Sequence, residues 1–221
     1  MYLKTVLLVF FVQSVHVFAQ SSQCSNLDLL FVIDESQSML LNNGFENGKN
    51  FVLNVVKAFS AVADARFAWV TFNSKVWEQT SFQTAQEFSS IVQSTGFNTG
   101  SSDYLIGFNA AKQTLSDHSK TTGTGRETVV IFFTDGHPTN GGDVSAIADV
   151  TKQIRCDQKT RILGLGIGEE ADSAATIQAV IGVDDASGSC SKASYETVPN
   201  FGSVASQGVG IVQRLLGCQG F

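Results

Sequence analysis

The sequence has few basic residues and no cluster of them. Its 221 residues include 14 lysines and arginines against 20 aspartates and glutamates, which gives a net charge of −6 at pH 7. Proteins that bind nucleic acids or anionic membranes present basic patches, so we expect neither kind of partner. After the first 19 residues the sequence also lacks an apolar run long enough to cross a bilayer. We therefore expect a mature product without membrane insertion.

The amino-terminal segment has the pattern of a secretory signal peptide. Lys4 precedes the apolar run Val6–Val12, and Val17-Phe18-Ala19 forms a small-residue cleavage signal. The sequence therefore predicts that residues 1–19 are a signal peptide and that the protein is secreted to an extracellular location. Residues 20–221 contain no repeat, low-complexity tract or linker, so we expect them to form a single domain.

Only four cysteines are present, and in a secreted chain they are expected to form disulfide bonds. Four cysteines allow three pairings. We favour Cys24 with Cys218, because they flank the first predicted strand and the last predicted helix, and chain termini often lie close together. Cys156 would then pair with Cys190.

Apolar runs that alternate with amphipathic segments indicate an α/β fold. Predicted strands are Leu27–Ile33, Arg66–Phe72, Thr128–Phe133, Arg161–Ile167 and Ala193–Thr197. Predicted helices are Gly44–Ala63, Thr84–Val92, Asp103–Leu115, Asp143–Arg155, Ser173–Ile181 and Phe201–Leu216. The segment Lys75–Phe82 alternates in polarity after a short turn, which is typical of an antiparallel edge strand. The expected architecture is a doubly wound, mostly parallel open sheet with helices on both faces.

Oxygen-bearing side chains follow the two most apolar strands. Asp34, Ser36 and Ser38 come after the first strand, and Asp135 comes after the strand Thr128–Phe133. In an open α/β sheet both strands end at the same edge, where ligand sites form, and the loop that carries Ser102 could reach that edge. Carboxylates and hydroxyls are hard donors that suit Mg²⁺ and Ca²⁺. Taken alone, the first stretch fits a helix-capping turn equally well.

The two motifs together resemble the von Willebrand factor type A domain and its metal-ion-dependent adhesion site. Asp34-Glu35-Ser36-Gln37-Ser38 matches a D-x-S-x-S motif, Thr134-Asp135-Gly136 matches a T-D-G motif, and the resemblance extends from Leu27 to Leu216. It implies an open sheet of five parallel strands and one antiparallel edge strand.

The resemblance also implies a ligand set for a divalent cation. The implied metal ligands are Asp34, Ser36, Ser38, Ser102 and Asp135, with Thr99 as the alternative to Ser102 in the third loop. Mg²⁺ is the expected cation, with Mn²⁺ or Ca²⁺ as alternatives. Glu35 and Gln37 are expected to point away from the metal and to lie at the surface.

The function that the resemblance implies is a secreted binding or adhesion module. The cation would accept an Asp or Glu carboxylate of a protein partner, such as an extracellular-matrix or collagen-type protein. A structural or assembly domain with a degenerate metal site is the alternative. A Mg²⁺-dependent hydrolase with Asp34 as nucleophile is less favoured, because Ser36 stands where a second acid would be needed. No Gly-x-Ser-x-Gly or His-Glu-x-x-His motif is present either, so we do not expect an enzyme.

Overall fold

One mixed sheet flanked by helices forms the fold. The computed structural model describes residues 24–61, 64–121, 125–136, 143–168, 171–185 and 188–218. The strands in these residues are β1 (Leu27–Asp34), β2 (Arg66–Phe72), β3 (Val76–Gln79), β4 (Glu127–Thr134), β5 (Arg161–Ile167) and β6 (Ala193–Val198). The helices are α1 (Gly44–Ser60), α2 (Ala85–Ser94), α3 (Tyr104–Thr121), α4 (Val144–Cys156), α5 (Ala171–Ile181) and α6 (Phe201–Leu216). The predicted signal peptide lies outside the described residues and stays a prediction.

The strand order of the sheet is β3-β2-β1-β4-β5-β6. β1 pairs in parallel with β2 and β4, and the parallel pairing continues through β5 to β6. β3 pairs antiparallel with β2 at the edge. The predicted fold class is confirmed, with five parallel strands and one antiparallel edge strand. Because β1 and β4 are neighbours at the centre, the residues that follow them lie close together.

The central strands are buried on both faces. All eight residues of β1 are buried, and its side chains alternate between two apolar cores. Phe31 and Ile33 face α1, α2 and α6, whereas Leu30 and Val32 face α3, α4 and α5. This double burial explains why β1 reads as a continuous apolar run rather than as an alternating strand. It also makes β1 a rigid support for the residues at its carboxyl end.

Asp28 interrupts the apolar run of β1 at the opposite end from the motif residues. Its carboxylate is 1% exposed and accepts hydrogen bonds from Arg66 (2.9 Å to each oxygen) and Arg126 (2.8 Å), and it lies 2.7 Å from Nε2 of His118. Burial raises the pKa of Asp28, but the hydrogen bonds from Arg66, His118 and Arg126 outweigh it and hold the pKa below its usual value. Asp28 is therefore a structural anion that ties β1, β2 and α3 together.

Both favoured disulfide bonds are present. Cys24, just before β1, is bonded to Cys218, just after α6, and Cys156 at the end of α4 is bonded to Cys190. Cys24 and Cys218 are each 2% exposed. The first bond therefore joins the two ends of the described chain inside the core on the α1 and α6 face.

Two details of the fold differ from the sequence-based expectation. A 3₁₀ helix over Gln37–Asn43 connects β1 to α1, where no element was predicted. β3 is shorter than predicted, although Phe67 and Gln83 form an isolated antiparallel bridge beyond it. Among the described residues, no helix combines the length and apolar character that a membrane span requires.

Candidate metal centre

Three segments of the chain meet at the carboxyl edge of the sheet. Ile33 pairs with Phe133 in the parallel register of β1 and β4, which brings Asp34 and Asp135 to the same edge. The α2–α3 loop, residues 95–103, reaches this edge because the side chain of Ser102 contacts Asp34. The structure thus brings together the side chains of the first loop, the β4 end and the α2–α3 loop.

The carboxylate of Asp34 lies at the centre of the cluster. Its Oδ1 accepts a hydrogen bond from the backbone N–H of Ser36 (2.8 Å), and its Oδ2 accepts from the hydroxyls of Ser102 (2.8 Å) and Thr134 (2.9 Å). Burial, together with the negative charge of Asp135, raises the pKa of Asp34 to about 6 against the lowering effect of these three donors. No ion pair among the described residues involves Asp34.

Ser36, Ser38 and Asp135 form a second hydrogen-bonded chain. The hydroxyl oxygens of Ser36 and Ser38 are 3.0 Å apart, and the Ser38 hydroxyl donates to Oδ1 of Asp135 at 2.8 Å. Ser36 is buried, Ser38 is exposed and Asp135 is half-buried. The oxygen cluster therefore extends from the buried Asp34 to the solvent, where a group from another molecule could approach it.

The α2–α3 loop brings Ser102 into direct contact with Asp34. Ser102 is 2% exposed and donates directly to Asp34, whereas Thr99 is exposed. Asp103 accepts a hydrogen bond from the backbone N–H of Ile106 (3.2 Å) and so caps the start of α3. The loop therefore passes from Ser102 directly into a capped helix.

Two residues of the site were not assigned a role from the sequence. Thr134 ends β4 and holds Asp34 through its hydroxyl, and it also contacts the hydroxyl of Tyr104 (2.7 Å). Tyr104 is fully buried, and its hydroxyl donates to the backbone carbonyl of Gly136 as well. The signal for Thr134 was present in the sequence, because it is a hydroxyl residue at the end of an otherwise apolar strand.

The surface position expected for Glu35 is wrong. Glu35 is 0% exposed, and its Oε2 accepts a hydrogen bond from the backbone N–H of Asn98 at 2.9 Å. Burial raises the pKa of Glu35, although the Thr71 hydroxyl and the hydrogen bonds from Asn98 oppose the shift. Gln37 is exposed, as expected. The alternation assumed for this stretch fails because the chain leaves β1 at Asp34 and turns into the 3₁₀ helix.

The chemistry of the donor set fits a divalent cation. The cluster offers two carboxylates and three hydroxyls, from the residues Asp34, Ser36, Ser38, Ser102 and Asp135. Hard oxygen donors of this kind are the ligands that Mg²⁺ and Ca²⁺ prefer, and two adjacent acids without an ion pair at Asp34 favour a bound positive charge. These five residues could hold such an ion.

Solved structures with the same fold include a matrix protein of the mussel byssus and a bacterial minor pilin. Proximal thread matrix protein 1 from the mussel byssus superposes with a TM-score of 0.67 at 17% identity, over 87% of this chain and 47% of that protein. A further structure of the same protein, with a zinc-occupied MIDAS motif, gives a TM-score of 0.65 at 18% identity, over 87% of this chain and 46% of that one. The PilB minor pilin of Streptococcus sanguinis gives 0.66 at 12% identity, over 87% and 61%. This chain thus spans about half of the thread matrix protein, and at these identities the likeness establishes the fold.

The family comparison covers the whole site. No curated protein sequence matches this chain. The family model of the von Willebrand factor type A domain matches residues 28–205, a range that contains the first loop, the α2–α3 loop and the end of β4. Together with the sheet order and the parallel pairing of β1 with β4, this match shows that the chain belongs to the von Willebrand factor type A domain family.

Proposed function

We propose that this protein is an extracellular binding module of the adhesion or assembly type. It captures a protein partner through a divalent cation held at the carboxyl edge of the sheet. The observation that carries the proposal is the junction of three distant segments, in which Ser102 bonds to Asp34 and Ser38 bonds to Asp135, each at 2.8 Å. The fold brings side chains separated by 68 and 97 positions to one point, and the side chains that meet there carry oxygen donors.

The proposed ligands of the cation are the five residues predicted from the sequence, namely Asp34, Ser36, Ser38, Ser102 and Asp135. The bonding of Ser102 to Asp34 supports Ser102 over Thr99. The bound ion supplies a positive charge that accepts a carboxylate oxygen from outside. Mg²⁺ is the proposed ion because a mixed set of hydroxyls and carboxylates suits it, and Mn²⁺ or Ca²⁺ fits the same donor types.

The proposed partner is a protein that presents an Asp or Glu side chain, such as an extracellular-matrix or collagen-type protein. The structural neighbours, a byssus thread matrix protein and a minor pilin, support an adhesive or assembling role. A structural role in assembly with a degenerate metal site is the second candidate. It is favoured by one observation, the presence of a serine at position 102, which lacks the methyl group that restricts a threonine rotamer.

We propose a non-enzymatic role. Hydrolysis with Asp34 as nucleophile would require a general acid or base beside it. The nearest additional carboxylate in the first loop is Glu35, and its Oε2 is engaged by the backbone N–H of Asn98. The two hydroxyls that contact Asp34 belong to Ser102 and Thr134, and both donate hydrogen bonds to its carboxylate.

The proposed extracellular location rests on two features of the chain. The pattern of residues 1–19 is that of a signal peptide. Two disulfide bonds, which persist in oxidising compartments, join Cys24 to Cys218 and Cys156 to Cys190.

A pull-down from extracellular-matrix extract tests the proposal. The immobilised protein should retain collagens or other matrix proteins in Mg²⁺ and release them when EDTA is added. Asp135→Ala should abolish retention, whereas Asp149→Ala, which removes an exposed acid on α4, should leave it intact. Retention that survives both EDTA and Asp135→Ala would remove the cation from the mechanism.

A further inference from the structure

We propose that Glu35 and Asn73 are positioning residues that hold the α2–α3 loop so that Ser102 faces Asp34. Neither residue belongs to the proposed ligand set. The inference rests on the proposed function, because it assigns to these two buried side chains the task of preparing one of the cation's ligands.

Glu35 and Asn73 bind the two backbone polar groups, the N–H and the carbonyl, of one loop residue, Asn98. The backbone N–H of Asn98 donates to Oε2 of Glu35 at 2.9 Å, and Nδ2 of Asn73 donates to the carbonyl of Asn98 at 2.6 Å. Glu35 follows β1 and Asn73 follows β2, so the loop is fixed to the ends of two adjacent strands. This double attachment places the loop relative to the sheet, and therefore relative to Asp34.

Further contacts fix the loop on both sides of Ser102. The backbone N–H of Gln37 donates to the carbonyl of Gly100 at 2.8 Å, and the backbone N–H of Asp103 donates to the carbonyl of Asn73 at 3.1 Å. Gly100 lies so close to Asn73 that an added Cβ would be 2.7 Å from its Cγ. Ser102 thus lies between Gly100 and Asp103, both of which are held by hydrogen bonds, so the direction of its backbone is set before any ion binds.

The free-energy cost of burying Glu35 indicates a specific role. Its side chain is 0% exposed, and no ion pair among the described residues involves it. Burying a carboxylate without a cationic partner is unfavourable. An apolar side chain would fill the space at lower cost but could not accept the hydrogen bond from Asn98.

Ser102 is the ligand that depends most on such a support. A serine side chain rotates more freely than the β-branched threonine, so the direction of its hydroxyl depends strongly on the backbone that carries it. Replacing a residue that orients a metal ligand without binding the metal itself typically weakens metal affinity by roughly 10- to 100-fold. We therefore expect an effect of this size at Glu35.

The experiment compares cation binding by titration calorimetry with Mg²⁺ and Mn²⁺. Glu35→Leu fills the volume without an acceptor and should weaken the affinity roughly 10- to 100-fold. Glu35→Gln keeps an oxygen that can accept from Asn98, so it should stay within about twofold of wild type, the tolerance expected where no interaction is lost. Thr151→Val is the matched control. It removes a buried hydroxyl that donates to the carbonyl of Val180 between α4 and α5, and it should leave the affinity unchanged.

Two further measurements separate positioning from general destabilisation. In a Ser102→Ala background, adding Glu35→Leu should lower the cation affinity by less than about twofold, because the ligand through which Glu35 acts is already gone. In the protein without added cation, hydrogen exchange of the α2–α3 loop should be faster in Glu35→Leu than in Glu35→Gln or wild type. The positioning role would be overturned, and the proposed function left standing, by either of two results. One is an unchanged cation affinity in Glu35→Leu, and the other is a loss of affinity in the Ser102→Ala background as large as in the wild-type background. A wild-type protein that takes up no cation would overturn the proposed function as well.

Discussion

The two disulfide bonds should contribute unequally to stability, because they close loops of very different length. The bonded cysteines are separated by 194 positions in Cys24–Cys218 and by 34 in Cys156–Cys190. In the chain-entropy model, a loop of the first length destabilises the unfolded state by about 5.3 kcal/mol and one of the second length by about 3.8 kcal/mol. Replacing Cys24 and Cys218 together by alanine should therefore lower the free energy of unfolding by about 1.5 kcal/mol more than the same replacement of Cys156 and Cys190.

Urea denaturation followed by far-ultraviolet circular dichroism measures this difference directly. Each double alanine variant is compared with wild type under non-reducing conditions, with the midpoint and slope fitted separately. The burial of Cys24 and Cys218, each 2% exposed, adds a packing loss in the same direction. A variant without the Cys156–Cys190 bond that loses as much stability as the other, or more, would refute the loop-length reasoning.

Two further predictions concern stability away from the site. Gly208→Ala should destabilise the fold by about 1–3 kcal/mol, because an added Cβ would lie 2.4 Å from the ring of Phe51. Gly210→Ala on the same helix has open space around the added Cβ and should stabilise the fold by roughly 0.5–1 kcal/mol. Equal shifts of the two melting temperatures would contradict this pair of expectations. Asp28→Asn should cost about 3–5 kcal/mol by unpairing the half-buried guanidinium groups of Arg66 and Arg126, with the affinity for a divalent metal ion unchanged. Since the folded pKa of Asp28 lies below its usual value of 3.8, the stability that its charge contributes is fully present above pH 3.8 and is lost as the pH falls through the lower folded value. Acid titration of the wild type and the variant checks this, and a difference that grows at low pH would contradict it.

The order of the elements could be predicted from the sequence because burial leaves strong patterns. β1 and β4 lie in the middle of the sheet, and both read as unbroken runs of branched and aromatic residues. The 3₁₀ helix Gln37–Asn43 could not be predicted in the same way. It is short, and Leu40 and Leu41 are 55% and 65% exposed, so its apolar residues follow no periodic pattern.

The meeting of Asp34, Ser36, Ser38 and Asp135 at one edge could be predicted because their motifs follow strands that end there. The supporting side chains could not, since their roles depend on contacts between distant segments. Glu35 binds a residue 63 positions away, and Thr134 binds Asp34 from 100 positions away. Only the packed loops reveal that these polar groups face inward.

Calorimetric titration of the wild-type protein and Asp135→Ala with Mg²⁺ or Mn²⁺ tests the central claim most directly. We expect a single cation site in the wild type and the loss of that site when the carboxylate at the end of β4 is removed. Binding should also stabilise the wild type by about 2.7 kcal/mol at a free cation concentration 100 times the dissociation constant. No measurable binding by the wild type, or equal binding by Asp135→Ala, would contradict the account.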